Sequence, residues 1–208
     1  MRSFENWLTQ EVEDTFGVSQ LEDMPLLENW LASGRAATGR LDESLEHARR
    51  RLVRNADFWN EDELKLMFIA PVLAFVEYET DRFKPFSQRR LRAVIDGVEV
   101  AGVVDFMVAR GRQIPKEPFF FLHEYKQEAR RDTDPKGQLL IEMLAAATLN
   151  GNGLPLYGCY VTGRFWYFVV LNERRYAVSR AFDASREEDL RSVIAMLFQV
   201  KEYIAESA

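Results

Sequence analysis

Apolar positions in the first 33 residues recur at helical spacing: Phe4, Trp7, Leu8 and Val12, then Leu26, Leu27, Trp30 and Leu31. The string ENWL occurs at 5–8 and again at 28–31. Four residues are too few for a repeat, and two similar amphipathic helices explain them equally well. ASGRAATGR (32–40) has two glycines and no apolar pattern, and reads as a linker. The chain thus divides into an N-terminal helical appendage (1–40) and a main domain (41–208). Helical patterning resumes over about 42–78. Asn60 with Glu63 three residues on has the spacing of a capping box, and Pro71 predicts a kink or interruption.

The period then shortens. LRAVIDGVEVAGVVDFMVA (91–109) is two alternating runs around Asp96-Gly97, a strong hairpin signal. PFFFLHEYKQ predicts a third strand. In DPKGQLLIEMLAAATLN (134–150), Asp134 suits a helix cap and Pro135 the first turn. LYGCYVTGRFWYFVVL gives two strands around Thr162-Gly163-Arg164, RRYAVSRAF a possible further one, and a terminal helix runs to about Glu206. The order is α, β-β-β, α, β-β, α. A helix follows a strand run only once, so the class is α+β with a mixed sheet rather than a doubly wound repeat.

Composition narrows the function. At 208 residues, 47% hydrophobic and 29% charged, the chain suits an ordinary globular core. No apolar run approaches the ~20 residues that span a bilayer. The acidic, tryptophan-bearing N-terminus lacks the pattern of a signal peptide, and the single cysteine, Cys159, fits a reducing cytoplasm. A net charge of −6 argues against a generally basic nucleic-acid binder, yet Arg82 to Lys136 carries 12 Lys/Arg against 8 Asp/Glu. A positive middle in an acidic chain is compatible with a phosphate-binding face, and equally with solvated charges around a sheet. With two histidines and one cysteine, structural zinc is not expected, and no phosphate-cradling P-loop or dinucleotide fingerprint occurs.

The candidate chemistry lies in FFFLHEYKQ (119–127). Alternation places Glu124 and Lys126 on one face, with Phe120 and Leu122, and sends His123 to the other. An isolated E-x-K is commonly a strand end reaching solvent. Here Asp105, in the apolar strand GVVDF, precedes it, and neighbouring strands can bring the two carboxylates together. Paired carboxylates repel, and a divalent cation such as Mg²⁺, which takes oxygen ligands, resolves that cost. Lys126 beside such an ion would orient or help deprotonate an attacking water and offset charge on a phosphate.

GVVDF, then FFFLHEYK, then a helix carrying Gln138, resembles the PD-(D/E)XK nuclease superfamily. The resemblance implies a restriction endonuclease-like α-β-β-β-α-β core from about residue 60 to 170. It implies Asp105 and Glu124 as Mg²⁺ ligands (Mn²⁺ serving also), the Tyr125 backbone carbonyl in the same shell, and Lys126 as the catalytic lysine. Glu63 occupies the place of a helix glutamate found in many members, beside its reading as a cap, with Glu61 as a weaker substitute. Gln138 matches a helix glutamine that places metal or substrate in several branches, beside its reading as an ordinary first-turn polar residue. Glu142 stands where some exonucleases carry tyrosine, and the motif's proline is absent, Val104 preceding Asp105. Arg89 and Arg90, with Arg92, and Arg130, Arg131 and Lys136 flank the strands and are candidates to hold a nucleic-acid backbone. The expectation is a metal-dependent nuclease acting on nucleic acid, DNA first, located in the cytoplasm, with a homodimer as a candidate assembly. The alternatives are a non-catalytic nucleic-acid-binding or assembly module that keeps the fold, and an ordinary α+β interaction domain.

Overall fold

The computed structural model of the chain describes residues 1–128 and 134–206. Its centre is one mixed sheet. Strands β3 (Lys84–Ile95), β4 (Val98–Arg110) and β5 (Lys116–Lys126) form an antiparallel meander, and the β3–β4 turn is Asp96-Gly97, both at positive φ. That left-handed pair is the geometry that suits the twist of a two-residue hairpin. Helix α6 (Pro135–Asn150) then crosses over and returns the chain as β6 (Leu156–Thr162), parallel to β5. Antiparallel β7 (Phe165–Asn172), β8 (Arg175–Val178) and the short β9 (Phe182–Asp183) extend the sheet. The class is α+β, as expected, and β3 begins seven residues earlier than the run read from Leu91.

Two cores flank the sheet. On one side, α6 buries every residue from Gly137 to Ala146 against Val104, Met107, Leu122 and Val169. On the other lie α2 (Pro25–Arg35), α3 (Glu43–Asn55), a bent helix and α7 (Glu187–Glu206), around Trp30, Phe121, Trp166 and Phe168. The bent helix runs as α4 (Glu61–Leu64), a π-helical turn Lys65–Ile69, and α5 (Ala70–Val76). Pro71, which lacks an N–H, falls where α5 begins, so the interruption read at this proline is taken up by the π turn before it.

The first 40 residues are not set apart from the rest, contrary to the division read from the glycine-rich stretch. Arg2–Ser3 (β1) pairs in parallel with β4, and Ser19–Gln20 (β2) with β8. Phe4, Trp7, Val12 and Phe16, the last two from α1 (Thr9–Phe16), join the α6-side core. Trp30 of α2 is fully buried in the other and donates to the Met196 carbonyl at 2.7 Å. Gly102 and Gly137 permit this closeness: a Cβ on Gly102 would sit 2.5 Å from the Phe4 ring, and one on Gly137 2.5 Å from the Thr9 nitrogen. The apolar positions read as an amphipathic pattern are the surfaces that tie this segment down.

Candidate active site

The site forms where β4 and β5 lie side by side. Their last regular pair is Phe106↔His123, and one further step of the same register brings Asp105 level with Glu124. Opposed residues on antiparallel strands share a face. An irregularity prepares the place. Gln88 on β3, level with Asp105, has φ 54, and the β3–β4 pairing is broken between Ser87↔Phe106 and Arg89↔Val104. At this level both strands change sides. Val100 and Val104 belong to the α6-side core but Phe106 and Val108 to the other, and β3 shifts between Phe86 and Leu91. A non-glycine residue at positive φ is a local cost that surrounding structure must hold in place.

Asp105 is buried and fully engaged. Its Oδ1 accepts from Lys65 Nζ at 2.8 Å and Gln88 Nε2 at 2.5 Å, and its Oδ2 from the Tyr125 N–H at 2.9 Å. Glu124, with no exposed surface, accepts from Lys126 through Oε1, while its Oε2 has no hydrogen-bond partner among the described residues. Burial, with Asp105 alongside, pushes the Glu124 carboxyl up to about 8 against the pull of Lys126. Burial works against the Lys126 charge, but Glu124, Glu61 and Asp105 together outweigh it, so its pKa stands above that of a free lysine.

The bent helix and α6 supply the rest. Glu61 accepts from Lys65 at 2.6 Å and lies 3.9 Å from Lys126. Lys65 is drawn down by burial and raised further by Asp105 and Glu61, and so also remains an ammonium. It stands 6.0 Å over the Tyr125 ring. From α6, Gln138 Nε2 donates to Glu142 Oε1 at 3.2 Å, and the fully buried Glu142 leaves Oε2 unpartnered. Burial, then the charge of Glu124, raises the Glu142 carboxyl well above the carboxylate range.

Of the residues singled out in the sequence, Asp105, Glu124, Lys126 and Gln138 therefore converge, and the Tyr125 backbone joins them through its N–H. Glu63 does not. It is exposed, and its carboxylate accepts from the Asn60 N–H at 2.9 Å while Asn60 caps the Glu63 N–H, so the capping reading holds and Glu61 is the glutamate that reaches the site. Arg89 and Arg90 are exposed on β3, with no ion-pair partner among the described residues. Lys136 turns elsewhere, to Gln20 at 3.3 Å and over the Tyr176 ring, so it does not extend their basic stripe. Arg130 and Arg131 lie outside the described residues. Phe120 also departs from simple alternation: a bulge between Val108 and Ala109 sends it against Phe83 in the other core, away from Leu122. Lys65, Gln88 and Glu142 were not assigned to the site from sequence. Only Glu142, a carboxylate amid ten buried helix positions, carried a legible signal.

Among the described residues no three His, Cys, Asp or Glu side chains form a ready-made metal cage. The donor set nevertheless fits a hard divalent ion. Asp105 and Glu124 supply oxygens, the orphaned Glu124 Oε2 lacks a positive partner, and Mg²⁺ ordinarily takes one or two carboxylates with water and phosphate. The sequence matches no protein-family model and no curated protein.

Proposed function

We propose that the chain is a metal-dependent nuclease that hydrolyses phosphodiester bonds, with DNA as the first substrate to try. The observation that carries this reading is the buried Asp105–Glu124–Lys126 group with an unpartnered carboxylate oxygen at its centre. Ionisable groups buried without full satisfaction are costly to a fold, and such arrangements concentrate at functional sites. The order α4–α5, β3, β4, β5, α6, β6 supports the same reading, since it is the order of the nuclease core that the motifs resemble.

Asp105 and Glu124 would hold Mg²⁺ or Mn²⁺, with the Tyr125 carbonyl as a further donor. Such an ion polarises a phosphate oxygen and acidifies a bound water. Lys126 would orient the water or help deprotonate it, and offset charge growing on the phosphate. Gln138, buried and with its amide nitrogen on Glu142, would use its carbonyl oxygen to orient water or substrate. Arg89 and Arg90 would hold the flanking backbone through phosphate contacts that fix register without reading sequence. The reduced, buried Cys159 suits a cytoplasmic enzyme, and a homodimer would let two sites address two strands. Among the described residues no helix is long and apolar enough to cross a membrane.

One observation favours the second reading, a non-catalytic nucleic-acid-binding or assembly module. Lys65 already neutralises Asp105, so that carboxylate needs no metal to be satisfied. The deciding experiment is nicking of supercoiled plasmid with Mg²⁺ or Mn²⁺ beside Lys126→Ala prepared identically. Metal-dependent nicking lost in the variant supports the nuclease. Plasmid binding without nicking, equal in both proteins, supports the module.

A further inference from the structure

Each proposed metal-binding carboxylate already carries a lysine: Lys65 on Asp105 at 2.8 Å, and Lys126 on Glu124. A third carboxylate, Glu61, stands between the two ammoniums, 2.6 Å from Lys65 and 3.9 Å from Lys126. Asp105 Oδ1 has two donors, which fills its lone pairs, and a cation placed on this carboxylate would face the Lys65 charge directly. Lys65 has somewhere to go, because its contact with Glu61 does not depend on Asp105.

We propose that Lys65 is a resident competitor for the metal, and that Glu61 is the carboxylate onto which it withdraws when a divalent ion takes Asp105. This rests on the nuclease reading, and it gives Glu61 a role other than metal ligand. Metal entry exchanges one cation for another on Asp105 while the displaced ammonium keeps a hydrogen-bonded partner, so the buried acids are not left uncompensated in the metal-free chain. Lys126, also near Glu61, has the same retreat from Glu124. Lys65 opens the π-helical turn, an irregularity of the kind found at functional sites, and Glu61 lies one turn before it on the same helix face.

The consequence is an opposition of sign between two partners in one salt bridge. Removing Lys65 relieves competition and tightens metal binding, whereas neutralising Glu61 removes the retreat and weakens it. A salt bridge that only held the helix in place would weaken binding from either side.

The experiment is Mn²⁺ binding to the full chain by calorimetry and by the paramagnetic signal of free ion, without nucleic acid. Lys65→Met should bind on the order of tenfold more tightly than the unaltered protein, through removal of a neighbouring like charge. Lys65→Arg should behave as the unaltered chain, and Glu61→Gln should bind more weakly. In the Lys65→Met background Glu61→Gln should lose most of its effect. Lys65→Gln carries the same test if Lys65→Met does not fold. A folded Lys65→Met or Lys65→Gln chain that binds Mn²⁺ equally or more weakly overturns the proposal while leaving the nuclease reading intact. An undiminished Glu61→Gln effect in the Lys65→Met background overturns the role given to Glu61. Absence of Mn²⁺ binding in every variant overturns both this inference and the nuclease reading.

Discussion

Four consecutive residues of β5 face two different interiors. His123 and Tyr125 point into an aromatic core, while Glu124 and Lys126 point under α6, and all four are buried. On the aromatic side the polar groups are neutral, although His123 Nε2 and Trp166 Nε1 are unpartnered among the described residues. The Tyr125 hydroxyl and His123 Nδ1 are 2.8 Å apart, Phe106, Phe121 and Trp166 surround the imidazole, and burial holds its pKa down to about 3. On the other side similar burial gathers the acids Asp105, Glu124 and Glu142 with the Lys126 amine, half-buried Lys65 and Glu61 standing at their edge, and leaves Glu124 Oε2 and Glu142 Oε2 unpartnered among the described residues. Burial alone therefore does not mark a site. The mark is a cluster of mutually interacting ionisable groups held inside, where apolar residues would have been cheaper.

The comparison breaks most sharply by substitution on one side at a time. Glu124→Gln should lower metal-dependent cleavage by about 10²-fold or more, on the scale of losing one electrostatic contact in a catalytic centre. His123→Phe should keep the metal dependence and cost about 1–3 kcal/mol of stability through the orphaned Tyr125 hydroxyl, measured by urea unfolding. Equal loss of cleavage in both folded variants would mean that the two sides are not functionally distinct.

The same contrast appears in the pH dependence of metal-free stability. Glu124, raised from 4.5 to about 8, binds its proton more tightly folded than unfolded, so its contribution is present below pH 4.5 and lost as pH rises to 8. Glu142, raised in the same direction, adds to that alkaline loss. His123, lowered from 6.5 to about 3, contributes stability above pH 6.5 that is lost as pH falls toward 3. Between pH 4.5 and 6.5 the two raised carboxyls outweigh the one lowered imidazole, so thermal melts in chelator should peak near pH 4.5 and fall on either side. Glu124→Gln should flatten the alkaline limb and His123→Phe the acid limb.

Smaller effects sharpen the picture. Glu142→Gln keeps the shape of a neutral carboxyl and should change stability by less than about 1.5 kcal/mol, whereas Glu142→Ala opens a cavity costing about 2–3 kcal/mol. Glu63→Ala should cost about 1 kcal/mol through the lost capping box and leave Mn²⁺ affinity unaltered, in contrast to Glu61→Gln.

Much of this organisation was legible from neighbours in sequence. Asp96-Gly97 demands a left-handed turn, Asp134-Pro135 opens α6, and Glu124 and Lys126 share a face because strand residues alternate. Asn60 and Glu63 bond each other across three residues, so the cap was visible, and its very completeness removes Glu63 from the site. The site's remaining members obey no local rule. Lys65 reaches Asp105 across 40 residues of chain, Gln88 across 17, and both look like ordinary surface polar residues in the linear pattern.

The sequence by itself determined the main helices and central strands, the α+β class and the strand that carries Glu124 and Lys126, because periodicity, caps and tight turns act within a few residues; the short β1 and β2 and the start of β3 it did not. Only the tertiary structure decided that Asp105 stands level with Glu124, that Lys65 and Glu61 bracket them, and that the N-terminal segment joins the sheet. Those outcomes depend on register, on the Gln88 irregularity and on the close approaches at Gly102 and Gly137. They arise from packing between distant segments, where burial energy rather than local conformational preference selects the partner.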